Sequence, residues 1–143
     1  MSLNLKILKF YKGKHPKLIM FDLDGTLVHS LPDIAWSVDS LLRKMNYPEA
    51  GEAIVSEWIG NGSAKLIERA LQYVEPNEIK RRSLQTSALE TYLQIYSQHL
   101  AVSTFCYPGV IDVLEHLKKN NKYILAIVTN KPHRMAVELL DGG

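Results

Sequence analysis

The chain has 143 residues, 46% of them hydrophobic, with a net charge of +2 and one cysteine. This suits one ordinary globular domain and excludes a disordered or low-complexity chain. No apolar run approaches the roughly 18 residues of a membrane span, and Cys106 alone can form no internal disulfide, which suits a reducing cytoplasm.

Lys6, Lys9, Lys12, Lys14 and Lys17 all fall in the first 17 residues, which contain no acid. The rest of the chain carries 12 basic and 15 acidic residues. The basic charge therefore belongs to a leader, residues 1–17, and not to a nucleic-acid-binding face. Within it Leu3, Leu5 and Ile7 alternate with polar residues, as in a short extra strand. Lysines interrupt the leader too early for a signal-peptide core.

Leu18 to Phe21 reads as a strand buried in a parallel sheet, and Gly25-Thr26 as the turn after it. Pro32 suits the first turn of a helix from about Asp33 to Met45, with Ile34, Val38, Leu41, Leu42 and Met45 at helical spacing. Asn46 to Gly51 is a loop, Ile54 to Ile59 a short helix, and Gly60-Asn61-Gly62 breaks it. Ser63 can cap a helix over 64–73, with Leu66, Ile67, Ala70 and Leu71 inward. Pro76-Asn77 opens a long helix over 78–99 that buries Leu84, Ala88, Tyr92, Ile95 and Tyr96. Pro108-Gly109 punctuates, and a helix over 111–120 follows with Val113, Leu114 and Leu117 inward. Ile124 to Val128 is a second buried strand. Thr129-Asn130 ends it, and a last helix starts near Pro132.

The order is strand, helical insert, helix, strand, helix. That is an α/β class chain with a Rossmann-like parallel sheet: core residues 1–30 and 101–143, and an all-helical module over 31–100. Ligands of open α/β sheets bind beyond the C-terminal strand ends, where Asp22-Leu23-Asp24 and Thr129-Asn130 both fall. Side chains at i and i+2 of a strand share a side, so Asp22 and Asp24 leave β-structure as neighbours. Such a pair suits a hard cation and a phosphoryl group. Mg²⁺ takes one or two protein carboxylates, with waters and phosphate oxygens completing its shell. Asp22 fits a nucleophile that also touches the metal, and Asp24 a general acid and then base that can also hold it. Free amides of Gly25 and Thr26 can cradle phosphoryl oxygens, and Thr129 can donate its hydroxyl. Taken singly, Asp-x-Asp and Thr-Asn are the residues of ordinary turns and caps. An EF-hand is rejected, because Thr26 and Asp33 stand where a third ligand and the final Glu are required.

Asp22-Leu23-Asp24-Gly25-Thr26-Leu27, with Thr129-Asn130 closing a later apolar strand, resembles the haloacid dehalogenase superfamily of phosphohydrolases. The resemblance runs from about Leu18 to the last residue. It implies an Mg²⁺-dependent phosphatase working through an aspartyl-phosphate, with Asp22, Asp24, Thr129 and Asn130 catalytic and the helical insert acting as a mobile cap. Trp58-Ile59-Gly60-Asn61-Gly62 followed by Glu68-Arg69-Ala70-Leu71 is similar to the phosphoglycolate phosphatase branch. There the glycine loop helps set substrate choice, so Gly60, Asn61 and Gly62 are expected at the substrate. Lys65 and Arg69, the nearest cations, could pair a substrate carboxylate or simply be solvated helix charges. Asp24 disfavours dehalogenase and phosphonatase members, which lack it, and Ile34 stands where many mutases have a histidine. Phosphatases of pyrophosphate, nucleotides or sugar phosphates stay open.

The superfamily's catalytic lysine and second acidic motif would lie beyond Gly143. Lys131 adjoins the second motif and is not given that lysine's role. The expectation is a C-terminally truncated, weakly active or inactive enzyme, or a remnant that binds phosphate or a partner. A helical interaction module built on the insert is a third reading, although internal packing accounts for its apolar faces. The expected ligand is a small phosphorylated metabolite, with no nucleic acid or membrane partner. A two-stranded sheet with a bare edge would invite self-association.

Overall fold

The computed structural model describes residues 14, 16–119 and 122–142. Leu3, Leu5 and Ile7, read as an extra strand, and most of the basic leader lie outside the described residues. In chain order the elements are β1 (Leu18–Phe21), β2 (Val28–His29), α1 (Leu31–Lys44), α2 (Glu52–Val55), α3 (Ser63–Val74), α4 (Glu78–Gln98), β3 (Phe105–Cys106), α5 (Val110–Lys119), β4 (Ile124–Ile127) and α6 (His133–Asp141).

β1 and β4 pair in parallel, from Leu18 opposite Ile124 to Phe21 opposite Ile127. Their C-terminal ends therefore lie side by side, and the fold is α/β as the order of elements implies. The strands are less buried than their apolar sequences suggest. Met20 is 63% and Ile124 67% exposed, and Leu18 is exposed with them. Alternate strand residues face opposite sides, and among the described residues the side bearing these three is left uncovered. A second sheet escaped the sequence reading. β2 and β3 pair antiparallel, Val28 with Cys106 and His29 with Phe105. Two residues per strand are too few to display a period. This small sheet joins the chain just before the helical stretch to the chain just after it.

Between β2 and β3 the chain is helical. α1 carries Pro32 and Asp33 in its first turn and Arg43 and Lys44 in its last, each on the side the helix dipole favours. Its Ile34, Val38, Leu41 and Leu42 are buried against Val55, Leu66, Ile67, Ala70, Leu71, Ala88, Tyr92 and Tyr96. α2 is shorter and earlier than expected, ending at Val55, and turns carry the chain on through Trp58 to Gly60. Gly62, not Ser63, is the N-cap of α3, because Ser63 already has helical backbone and Gly62 takes φ +82°. Asn77 caps α4 by accepting from the Lys80 amide at 3.1 Å. On that helix Tyr96 is buried with Ala88 and Tyr92, whereas Leu84 and Ile95 are only half-buried.

The smaller apolar cluster joins Leu23, Leu27, Val28, Ala136 and Leu139, with Phe21, Leu100, Val110 and Leu114 at its margin. α5 buries Leu117, but Val113 is exposed rather than inward. Met135 of α6 packs into the helical cluster instead, so the element following β4 touches both apolar groups.

Candidate active site

β1 ends at Phe21, and the next residues form a tight turn. The Leu23 carbonyl accepts from the amides of Thr26, Leu27 and Val28, and the Gly25 amide donates to the Val28 carbonyl at 2.8 Å. This corrects one expectation. The Gly25 and Thr26 amides are consumed within the turn and are not free to cradle a phosphoryl group. The same turn buries Leu23 completely, which anchors Asp22 and Asp24 on either side of it.

Asp22 and Asp24 line one small open cleft with Thr129, Asn130, Lys131 and Pro132 from the end of β4. The helical stretch supplies the facing wall, including Gly60, Gly62, Ser63, Tyr92 and Tyr96. Asp22 is exposed, and its Oδ2 accepts from Thr26 Oγ1 at 3.3 Å. Asp24 is more enclosed. Its Oδ1 accepts from Ser30 Oγ at 2.6 Å and from Lys131 Nζ at 3.0 Å. Ser30 occupies the N-cap position of α1 but makes no side-chain cap; its hydroxyl is spent on Asp24. Thr129 Oγ1 accepts from the Lys131 amide at 3.1 Å, leaving its own proton available to a ligand.

Lys131 is the residue that sequence reasoning underused. Its side chain is 2% exposed, and its Nζ donates both to Asp24 and to the hydroxyl of Tyr96. Burial lowers the pKa of the ammonium, while the Asp24 carboxylate pulls the other way. Burial also raises the Tyr96 hydroxyl well above its ordinary range, so that it stays protonated. A lone lysine in a strand-to-helix turn normally reads as solvated. Its position directly after Thr129-Asn130 was the only available signal.

The structure divides the remaining expected residues. Gly60 and Gly62 reach the cleft, and both meet Asn130. Asn130 Nδ2 donates to the Gly60 carbonyl at 2.9 Å, and a Cβ on Gly62 would stand 3.3 Å from the Asn130 carbonyl oxygen. The glycine loop is thus docked on the turn after β4. Asn61 and Lys65 face a separate groove between α3 and α4, where Lys65 pairs with Glu68 at 2.7 Å. Arg69 donates to the Trp58 carbonyl at 2.6 Å, so its guanidinium holds the loop beneath Gly60. Neither cation is brought to the cleft, because each has a nearer partner within its own helical stretch.

A buried carboxylate that the sequence reading used only to reject an EF-hand holds the junction. Asp33 is fully buried and accepts from the Ser103 and Thr104 amides at 2.8–3.0 Å and from Thr104 Oγ1 at 2.7 Å. It ties the start of α1 to the chain returning from α4.

The donor set suits Mg²⁺ in one respect. Asp22 and Asp24 offer hard oxygens at one cleft, and this ion needs only one or two protein carboxylates. Among the described residues no cluster of three or more His, Cys, Asp or Glu gathers there or elsewhere. Among the same residues no helix is long and apolar enough to cross a membrane.

Comparison with known proteins gives this geometry a context. A family model described as haloacid dehalogenase-like hydrolase matches residues 19–142. Phosphoglycolate phosphatase 1 of Pseudomonas aeruginosa is 43% identical over 133 residues, 92% of this chain and 48% of its own length. The phosphoglycolate phosphatase of Haemophilus influenzae is 45% identical over 120 residues, 82% of this chain and 53% of its own. A crystal structure described as a predicted phosphoglycolate phosphatase from Haemophilus somnus superposes with a TM-score of 0.79 at 39% identity, covering 88% of this chain and 56% of that one. The chain spans about half the length of the curated relatives it matches. With the paired carboxylates after β1, the Thr-Asn turn after β4 and a family model matching nearly the whole chain, this protein belongs to the haloacid dehalogenase-like hydrolases.

Proposed function

We propose that this chain forms part of an Mg²⁺-dependent phosphatase for a small phosphate monoester, 2-phosphoglycolate being the first candidate. The observation that carries the reading is the gathering of Asp22, Asp24 and Thr129 in one cleft at the ends of two paired parallel strands. The substrate is suggested by the names of the relatives. Residues 31–100 are read as the cap over residues 18–30 and 101–142.

In this mechanism an Asp22 carboxylate oxygen attacks phosphorus as the bond to the leaving oxygen breaks. Asp24, protonated, gives its proton to that leaving oxygen. Asp24, now ionised, takes a proton from water; the water oxygen attacks phosphorus and the Asp22–phosphorus bond breaks, releasing inorganic phosphate. Thr129 donates its hydroxyl to a phosphoryl oxygen. Asp22 and Asp24 would hold Mg²⁺, which shields the charges that otherwise keep carboxylate and phosphate apart. We place this activity in the cytoplasm, on the single exposed cysteine.

The test is phosphate release from 2-phosphoglycolate by the native gene product, with and without Mg²⁺. Asp22→Asn is expected to cut turnover roughly 10⁴-fold or more; full activity in that variant would refute the nucleophile. A second reading is a module that binds phosphate at this cleft without turnover. Saturable calorimetric binding of inorganic phosphate with no release from any ester would support it. Among the described residues β1 is paired on one edge only, by β4, and together with exposed Leu18, Met20 and Ile124 this makes self-association part of the proposal. Sedimentation showing one monomeric species at every concentration would count against that part.

A further inference from the structure

Asp24 is clamped on one oxygen. Ser30 Oγ and Lys131 Nζ both bind Oδ1, and among the described residues no hydrogen bond reaches Oδ2. A carboxyl held this way keeps one oxygen fixed and presents the other. One jaw of the clamp is not self-sufficient. Lys131 is buried, and a buried ammonium needs partners beyond a single carboxylate oxygen to offset its lost hydration. Its further partner is the Tyr96 hydroxyl, near the end of α4, on the opposite side of the cleft from β1 and β4. Tyr96 is itself 2% exposed and stacked with Tyr92 at 5.7 Å between centroids, so its hydroxyl is placed by packing and not by solvent.

We propose that Tyr96 and Lys131 are positioning residues for Asp24, so that the helical stretch presents the acid group to the leaving oxygen only when Tyr96 is docked on Lys131. This rests on the acid–base role given to Asp24 above. Without the Tyr96 hydroxyl, Lys131 loses a partner on the helical side and Oδ1 of Asp24 loses its fixed mate. Asp22 is not touched by this chain of contacts, and any weakened hold on Mg²⁺ at Asp24 slows both kinds of ester alike, so the effect on proton delivery is read as the difference between them.

That separation sets the experiment. An alkyl ester such as 2-phosphoglycolate expels a basic alkoxide and needs the proton, whereas p-nitrophenyl phosphate expels an anion stable without one. In the native gene product, Tyr96→Phe is expected to lower kcat for the alkyl ester about 10-fold more than for the aryl ester, within the range of general acid catalysis. Lys131→Met is expected to show the same bias. Equal losses for both esters would mean a merely structural role and overturn the proposal. Asp24→Asn is the control. If it too lowers both esters equally, or if the wild-type product hydrolyses neither, the underlying acid–base reading fails, and this inference with it. A readout independent of turnover is urea unfolding of the same native gene product. Asp24→Asn should lower the folded-to-unfolded ratio, and Lys131→Met added to it should recover at least about 5-fold of that ratio, because the stranded ammonium is gone. Strictly additive losses would show that the two residues do not act together and would overturn the clamp.

Discussion

Asp33 shows how much one side chain can hold. Its carboxylate satisfies two backbone amides and one hydroxyl of the returning chain while fully buried. Asp33→Ala would strand those donors, at a cost of roughly 3 kcal/mol or more by the usual penalty for unpaired buried groups. Urea unfolding would read that loss, and amide exchange at Ser103 and Thr104 should accelerate along with it. Gly62 is constrained for a different reason. Its φ of +82° already disfavours any other residue, and the Asn130 carbonyl leaves a Cβ little room. Gly62→Ala is expected to cost about 1–2 kcal/mol from backbone conformation and to loosen the contact between the glycine loop and Asn130. A thermal melt unchanged from wild type would show that the loop is not held where the structure has it.

At the level of elements, the helical stretch stands on its own packing. Leu71 is 1% exposed among Ile67, Ala70 and Tyr92, so Leu71→Ala should cost about 2–5 kcal/mol. Asn77→Ala should cost about 1 kcal/mol by removing the cap of α4. Calorimetric melting of the two variants would rank them in that order. The turn between α3 and α4 adds a pH-dependent tie. Glu75 accepts from Lys80 at 2.6 Å, from the Tyr47 hydroxyl at 2.6 Å and from the Asn77 amide at 3.0 Å. These donors, Lys80 first, lower its carboxyl from 4.5 to about 2, and Glu75 raises the Lys80 ammonium in return. Because the folded value is the lower one, the unfolded chain binds more protons between the two pH values. The Glu75 contribution is therefore complete above pH 4.5 and is lost as the pH falls toward 2. Glu75→Gln should flatten the fall of the urea midpoint across that acid range; an unchanged slope would assign the acid sensitivity to other carboxylates.

Across the whole molecule, sequence and structure agree where one residue type has one job. The alternation of apolar runs and amphipathic stretches made the α/β class and nearly every helix legible, since burial selects the same periodicity wherever the element ends up. Pro76-Asn77 and Pro32 marked helix starts because proline and asparagine act through local backbone chemistry. Asp22 and Asp24 were legible as a pair because two adjacent acids at a strand tip have no use in packing. What stayed illegible depends on partners far away in the chain. Lys131 gains its burial from Tyr96, 35 residues away, and bonds Asp24, 107 residues away. Asn130 meets Gly60 across 70 residues. Local signals cannot encode which of several polar groups will be desolvated together. For the same reason Lys65 and Arg69 looked available for a substrate, although Glu68 and the Trp58 carbonyl claim them within the fold. By itself the sequence determined the helices, the two parallel strands and the chemistry of their tips, because periodicity and residue type act over a few bonds. Only the tertiary structure decided which tips meet, since a buried charge acquires its role from the partners that replace its water.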